Sequence, residues 1–487
     1  MISLLNVLNL ISVLFSLLFH VLLVRLFGVA LQTDVYYLCT AIIQFTVGIV
    51  AFLIKLYIPV YNDVKVRSEE EAKNFTGAVL VLIFLMGAFF SILVFVTAPY
   101  IVKIFANGFS PEKISLSARL VRVLSVSILF SSLTMVVTAA LIANLFMLIT
   151  FSSSIITPLF NLIALLLFVR NYGIVAIMYS IVTASIINFL VVSAFLRMRV
   201  GWKLANPFKR PDIAYLVRQS ISMRMGGVIA ELQGPITSNI LSYFPTGYIT
   251  LFSYTNRLLN VLFNIINSPI LQVLYSKSSN LLARKRVDEL KGLLISTLMS
   301  NTVLFISVII PLIILFKKIF SLLFAPKVTS NEISVMYHLF LALIPFYLAL
   351  SFEVSFAVIT IAMKKGIEVL KINVVFTFLY GVFFIPAIKF LAIFAIPIAL
   401  FIAEVYKSIV FINLVDRDMH IVDLDMIKNM IKFSVFIGLL VSLNVLFASS
   451  FIYGMYLNVI LVILWLIFMG KDTIAAFHLI VRKGEVK

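Results

Sequence analysis

The chain has 487 residues, 63% of them hydrophobic and 12% charged, with a formal net charge of +18 and a mean hydropathy of +1.16. A soluble domain is about 25% charged, and surface-to-volume scaling gives it no place for this much apolar side chain. The composition excludes soluble enzymes, nucleic-acid-binding domains and secreted disulfide scaffolds, and reads as an all-α polytopic membrane protein. Positive charge in such a chain belongs to cytoplasmic loops facing anionic lipid. The single cysteine, Cys39, allows no intrachain disulfide and no cysteine-based metal site.

A helix needs about 20 apolar residues to cross the hydrocarbon core. The first such run, Ile2–Leu26, is too long for a signal-peptide core and has no small-residue cleavage site behind it, so it reads as a span. Further runs lie at approximately 34–57, 76–98, 116–142, 146–169 and 173–196. After a basic loop they resume at 216–243, 247–275, 290–316, 332–362, 367–388 and 390–413, and end at 428–448 and 451–470. That makes about 14 spans. A closed β-barrel would show short segments of period-2 alternation instead.

Lysine and arginine set the expected orientation. With a cytoplasmic N-terminus, about 23 of them fall on the inside, in loops such as Lys65–Lys73, Arg197–Arg210 and Lys277–Lys291, against about 7 outside, among them Lys103 and Lys113. The bias persists from loop to loop, and an even span count places both termini in the cytoplasm. No loop is long enough to fold as a domain, so function belongs to the helical bundle or its mouths.

The two halves of the chain look alike. Leu26-Phe27-Gly28 and Thr33-Asp34-Val35-Tyr36-Tyr37 line up with Tyr243-Phe244-Pro245 and Thr250-Leu251-Phe252-Ser253-Tyr254. Ala98-Pro99-Tyr100-Ile101-Val102-Lys103-Ile104-Phe105-Ala106 lines up with Leu315-Phe316-Lys317-Lys318-Ile319-Phe320 and the following Phe324-Ala325. The offset stays near 217–219 residues. A repeat of six spans keeps one orientation, which is a parallel repeat about an axis along the membrane normal. The expected organisation is an N-lobe over 1–200, a C-lobe over 212–413, a helix pair over 426–470 and a tail over 471–487. Two such lobes would enclose a cleft and rock to expose it to each side in turn.

Ionisable groups inside a membrane are functional candidates by default. Arg257 lies about three turns into the eighth span. Asn256, Asn260, Asn264 and Asn267 form one polar stripe beside it, suited to a bundle interior or a water-filled cavity. Helix–helix hydrogen bonding is the competing reading of the stripe. Arg224 and Glu231 share a face of the seventh span, either as an anion site with its neutralising carboxylate or as a structural pair. Glu231, Glu353 and Glu404 stand alone in apolar sequence and are candidates for proton or Na⁺ coupling. Arg25, Arg119, Arg218, Glu368 and Lys407 lie close enough to span ends to snorkel. His20 reads as a packing histidine rather than a proton relay.

Several chemistries have no carrier here. The phosphate-binding Gly-x-x-x-x-Gly-Lys-Ser/Thr loop, His-Glu-x-x-His and Gly-x-Ser-x-Gly are all missing, so no cofactor or metal is expected. Asp416-Arg417-Asp418 and Asp423-Leu424-Asp425 resemble paired metal-binding carboxylates but read as a solvated cytoplasmic loop.

Val24-Arg25-Leu26-Phe27-Gly28 with Thr33-Asp34-Val35-Tyr36-Tyr37 resembles the first outside loop of the MviN/MurJ family. Ile58-Pro59-Val60, Ala98-Pro99 with Phe105-Ala106-Asn107-Gly108-Phe109, and Tyr254-Thr255-Asn256-Arg257-Leu258 resemble later segments of it, over most of 24–165 and 216–325. The resemblance implies the multidrug/oligosaccharidyl-lipid/polysaccharide exporter superfamily and a flippase without enzymatic activity. It implies alternating-access transfer of lipid II, an undecaprenyl-pyrophosphate-linked precursor for peptidoglycan and cell-wall biogenesis, across a bacterial inner membrane. It further implies a cationic cavity containing Arg257, a groove for the lipid tail from the last two spans, and driving by an ion gradient or the membrane potential. Membrane lipids are the other expected partners, and a monomer is the expected working unit.

Family members carry further cavity arginines on the first two spans. Here the first span before Arg25 offers only His20, and the second offers Gln44, Thr46 and Lys55; Arg224 is the available substitute. Flipping of another lipid-linked oligosaccharide, of O-antigen or capsule type, is the nearest alternative. A multidrug antiporter would have about 12 spans, and a membrane glycosyltransferase or polymer ligase would need a catalytic carboxylate. Replacing Asp416, Asp418, Asp423 and Asp425 together by Asn is expected to leave activity intact; its loss in a transport assay would revive the ligase reading.

Overall fold

A computed structural model describes residues 2–324, 327–363 and 365–420. The first expected span is α1 (Ile2–Phe27), and the second is α2 (Leu31–Val50) continued, after one 3₁₀ turn, by α3 (Ile54–Arg67). The third to sixth are α4 (Glu69–Phe105), α5 (Pro111–Ala143), the broken pair α6 (Met147–Ser153) and α7 (Ile156–Leu167), and, past the single turn α8 (Val169–Tyr172), α9 (Ile174–Arg199). The seventh is broken at Leu232 into α10 (Pro211–Glu231) and α11 (Gln233–Leu241). The eighth to twelfth are α12 (Tyr248–Ala283), α13 (Val287–Phe324), α14 (Ser330–Ala362), α15 (Gly366–Leu391) and α16 (Ala395–Met419). Each of the first twelve expected spans thus has its helix or broken helix, and no strand occurs among the described residues. The expected pair at 428–448 and 451–470, with the tail, lies outside the described residues.

Local chemistry sets the helix starts. Ser68 caps α4 by accepting from the Glu71 amide, and Glu69, Glu70 and Glu71 place negative charge on its N-terminal dipole. Ser110 caps α5 in the same way, with Pro111 at its first position. Thr329 and Glu332 form a reciprocal capping box at the start of α14. The starts also carry the sequence repeat. Leu31 and Tyr248, Glu69 and Val287, and Pro111 and Ser330 open corresponding helices at offsets of 217 to 219 residues.

Two compact units emerge, one ending at Thr250 and the other beginning at Leu251. In the first, α4 and α9 pack along α5, and α2 lies against α5. The helices α10 and α11 also pack here, against α2, α3 and α4. The packing boundary is therefore at 250/251, whereas the sequence repeat turns over at the basic loop Arg199–Pro211. Similarity of span order and closeness of packing are different properties, and the seventh span separates them.

In the second unit α14 and α15 pack along α16, and α13 along α14. Its core is aromatic: Phe316 stacks on Phe320 with centroids 3.9 Å apart, and Phe340 and Tyr337 close over Phe316. Aromatic pairs of this kind contribute about 0.5–1.5 kcal/mol beyond area burial. Many large apolar side chains stay exposed along the spans, Phe89, Ile92 and Val96 of α4 among them, as expected of a surface that meets lipid.

One close approach fixes the basic loop. A Cβ on Gly77 of α4 would fall 1.7 Å from the Lys203 carbonyl oxygen, whose residue also donates its amide to the Lys73 carbonyl. Gly77→Ala is expected to destabilise by about 1–3 kcal/mol, the range for overpacking. Gly292→Ala, on open helix surface, is expected to stabilise by about 0.5–1 kcal/mol. Thermal unfolding of the two variants in detergent checks both signs.

Candidate functional site

The polar stripe of α12 is divided by its surroundings. Tyr347 of α14 donates to both the backbone and the side-chain oxygen of Asn256, at 3.0 and 2.9 Å. Here the helix–helix reading holds. One and two turns further on, Asn260 and Asn264 are exposed, and the Asn264 amide donates to the Asn260 side chain at 2.6 Å. Asn267 is buried again and donates back to the Phe263 carbonyl. Arg257 is half-buried at the start of the exposed stretch. Arg224 lies on α10, and its side chain falls outside the described residues. Tyr347 was not legible as a partner, because a tyrosine in an apolar span looks like packing until its hydroxyl is placed.

The three candidate carboxylates separate into two places. Glu231 ends α10 at the helix break, half-buried, with its carboxylate against α2: a Cβ on Gly48 would come within 2.3 Å of Glu231 Oε2. Glu353 of α14 and Glu404 of α16 are not isolated groups. Both face Lys407, whose Nζ lies 3.2 Å from Glu353 Oε1 and 3.8 Å from Glu404 Oε1. Lys407 does not snorkel. The helix runs to Met419, three turns past it, and the ammonium packs 5.0 Å from the Phe376 ring of α15.

A polar clasp in the first unit was missed altogether. The buried Asp34 carboxylate, in the first turn of α2, accepts from the Gly247 amide at 2.7 Å and the Thr250 amide at 2.9 Å. The Thr250 hydroxyl donates to it as well, at 2.7 Å, and Lys113 Nζ lies 3.6 Å away. Gly247 has φ near +100°, and a Cβ there would fall 2.4 Å from Val29 Cγ1 and 3.1 Å from the Val29 carbonyl oxygen, so a side chain would be strained and crowded. Around the clasp, Lys113 donates to Thr246, the Gly108 amide to Ser242, and Asn107 to the Tyr243 hydroxyl. These contacts tie the first turn of α2 and the start of α5 to the turn before α12 and its first residues. The Thr33-Asp34 and Thr250 pair was visible in the sequence only as repeat text.

At the other end of the spans charges pair across the basic loop. Arg67 and Arg210 meet Asp212, Arg210 also meets Glu71, and Lys203 meets Glu70 at 2.6 Å. Asp416, Arg417 and Asp418 form the last turn of α16 rather than a loop, and Asp418 pairs with Lys365. Asp423 and Asp425 lie outside the described residues. His20 is buried against Phe19, Tyr36 and Tyr37, with the Tyr37 hydroxyl 3.3 Å from Nδ1, which is the packing role. Among the described residues no three His, Cys, Asp or Glu side chains are grouped to hold a metal.

Asp34→Ala strips the acceptor from two backbone amides and a hydroxyl that stay buried. Each unsatisfied donor costs about 1–3 kcal/mol. The expected outcome is a markedly lower melting temperature, with Asp34→Asn intermediate because its amide oxygen still accepts. An unchanged melting temperature for Asp34→Ala would show that the clasp contributes nothing to stability.

The family model for lipid II flippase MurJ matches residues 23–467. No curated relative matches the chain by sequence. A solved structure of lipid II flippase MurJ in an inward closed conformation superposes with a TM-score of 0.77 at 19% identity, covering 97% of this chain and 100% of that one. An inward-facing multidrug resistance MATE transporter of the MOP superfamily gives 0.67 at 15% identity, over 84% and 94% of the two chains. A mutant of the Vibrio cholerae MATE transporter VcmN gives 0.58 at 14%, over 86% and 95%.

Proposed function

The chain belongs to the lipid II flippase MurJ family, and from that premise we propose that Arg257 and the exposed Asn260–Asn264 pair of α12 bind the anionic head group of the transported lipid. The chain is a multi-pass membrane transporter, not an enzyme, and lipid II is its substrate class. The observation that supports the site is the exposed polar stretch beside Arg257 within a long span. Polar side chains at that depth are costly to leave toward lipid and useful toward a hydrated ligand. A guanidinium presents a planar fork of donors that matches a pyrophosphate, and the asparagine amides suit sugar and peptide groups. Asn256, held by Tyr347, fixes the rotation of α12 rather than touching the ligand.

The orientation follows from the lysine and arginine bias, with both termini in the cytoplasm of a bacterium and the chain in its inner membrane. The Asp34 clasp then lies at the periplasmic end and the Arg67–Asp212–Arg210 network at the cytoplasmic end. Alternating access requires each set to part in turn, and both are polar contacts that water can replace. Transfer runs from the cytoplasmic to the periplasmic leaflet, and the chain works as a monomer with no bound cofactor. Multidrug transport receives support from the shared fold alone, and flipping of a different lipid-linked oligosaccharide from none of these contacts in particular.

In a bacterium depleted of its own lipid II flippase, expression of this chain is expected to restore growth and outer-leaflet lipid II. Arg257→Ala is expected to abolish that rescue while the protein stays folded and inserted. Arg257→Lys should transport about tenfold more slowly, the equivalent of one lost charge-assisted hydrogen bond. Full rescue by Arg257→Ala would remove the arginine from the site.

A further inference from the structure

The second unit carries three ionisable side chains in one buried cluster, and their charges do not balance. Glu404 is 1% exposed and Glu353 4% exposed, and both carboxylates reach the same ammonium, that of Lys407. A structural ion pair needs one carboxylate for one lysine. The second carboxylate leaves a net negative charge in a low-dielectric interior, where an uncompensated charge is far more costly than a neutral group. Two carboxylates beside one ammonium in such a site disfavour double ionisation, because each negative charge raises the cost of the other.

The geometry indicates where the proton sits. Lys407 Nζ is within hydrogen-bonding reach of Glu353 Oε1 at 3.2 Å. Its distance to Glu404 Oε1 is 3.8 Å, too long for a hydrogen bond, and that oxygen has no other hydrogen-bond partner among the described residues. Lys317 of α13 sits over Tyr337, about 24 Å along α14 from Glu353 at 1.5 Å per residue. Lys365 is paired with Asp418 at the helix end, about 21 Å along α16 from Glu404. From α15 the cluster meets Phe376, and the same helix face buries Asn373, Thr377 and the further titratable group Tyr380. On α16, Ser408 donates to the Ala349 carbonyl and leaves the carboxylates alone.

We propose that Glu353 and Glu404 together hold one exchangeable proton beside Lys407, forming a proton-binding site inside the second unit. The proton comes from solvent and sits on a carboxylate oxygen; no bond other than this O–H forms or breaks. A sodium ion would need several oxygen ligands, and Lys407 already occupies the space between the two carboxylates. The site lies far from either end of α16, where a bound proton could accompany a transport cycle. Its existence does not depend on the substrate reading, because the proton is detectable without lipid.

Infrared difference spectra of the full chain in lipid vesicles, recorded between acidic and alkaline solution, test this. The wild type is expected to show a protonated-carboxyl C=O band that disappears on alkalinisation. Glu353→Gln and Glu404→Gln, which keep shape and hydrogen-bonding groups, should each lose that band, since either leaves a neutral glutamate–lysine pair. Lys407→Gln should raise it to about twice the wild-type intensity, because two carboxyls then need protons. Absence of the band from the wild type at every pH would overturn the proposal whether or not the variants fold. So would its persistence in both glutamine variants. Discharge of the band by sodium but not by potassium would replace the proton with a sodium site. Loss of lipid II rescue with the band intact would count against the substrate reading alone.

Discussion

Hydrocarbon solvates neither charges nor backbone amides, and the helices and the Asp34 clasp among the described residues answer that constraint. Its spans are helices because a helix satisfies its own backbone. Its charges gather at the helix ends, where water and head groups receive them, or they meet a partner inside. Asp34 is the clearest case. A carboxylate buried at the start of a span is tolerable because two amides, a hydroxyl and an ammonium converge on it. The requirement then works in reverse. Once Asp34 is there, the turn before α12 must present its amides in one orientation, and Gly247 supplies the φ that permits it.

The two ends of the first unit are closed by different physics. At the Asp34 end the contacts are mostly neutral donors on a single buried carboxylate, with little water access. At the basic-loop end they are ion pairs, some of them exposed like Lys203–Glu70 and weakened by salt. The first arrangement is stiff and specific in register. The second tolerates rearrangement. A transporter needs at least one end that opens at small energetic cost, and the exposed pairs are the cheaper set to exchange for water.

Span number, order and the internal repeat were legible in the sequence because they rest on composition and on length, which the bilayer dictates. The offset of 217 to 219 residues survives in the helix starts because loop lengths fix it. The stripe of α12 was legible for a similar reason: helical periodicity is a property of one segment. Its division into a Tyr347-bound part and an exposed part was not, since that depends on which face α14 covers. Asp34 escaped for the same cause, its hydrogen-bond donors Gly247 and Thr250 lying more than 200 residues along the chain. Lys407 was misread because its distance from the span end was counted to 413, while α16 continues to Met419.

The buried lysine also bears on how charge is distributed between the two candidate sites. Arg257 brings a fixed positive charge to the α12 stripe, and a guanidinium cannot shed it. Release of an anionic head group therefore cannot rely on neutralising the arginine. It must come from rehydration, from competition by a carboxylate, or from a charge change elsewhere in the protein. The proposed proton site at Glu353, Glu404 and Lys407 would change by one unit, since two acids and one base are balanced only when a proton is present. Such a group can bias a conformational equilibrium without touching the lipid, provided the two conformations differ in its access to water. In the proposed arrangement the residue that recognises charge is separate from the residues that vary it, and Arg257 can stay constant through the cycle.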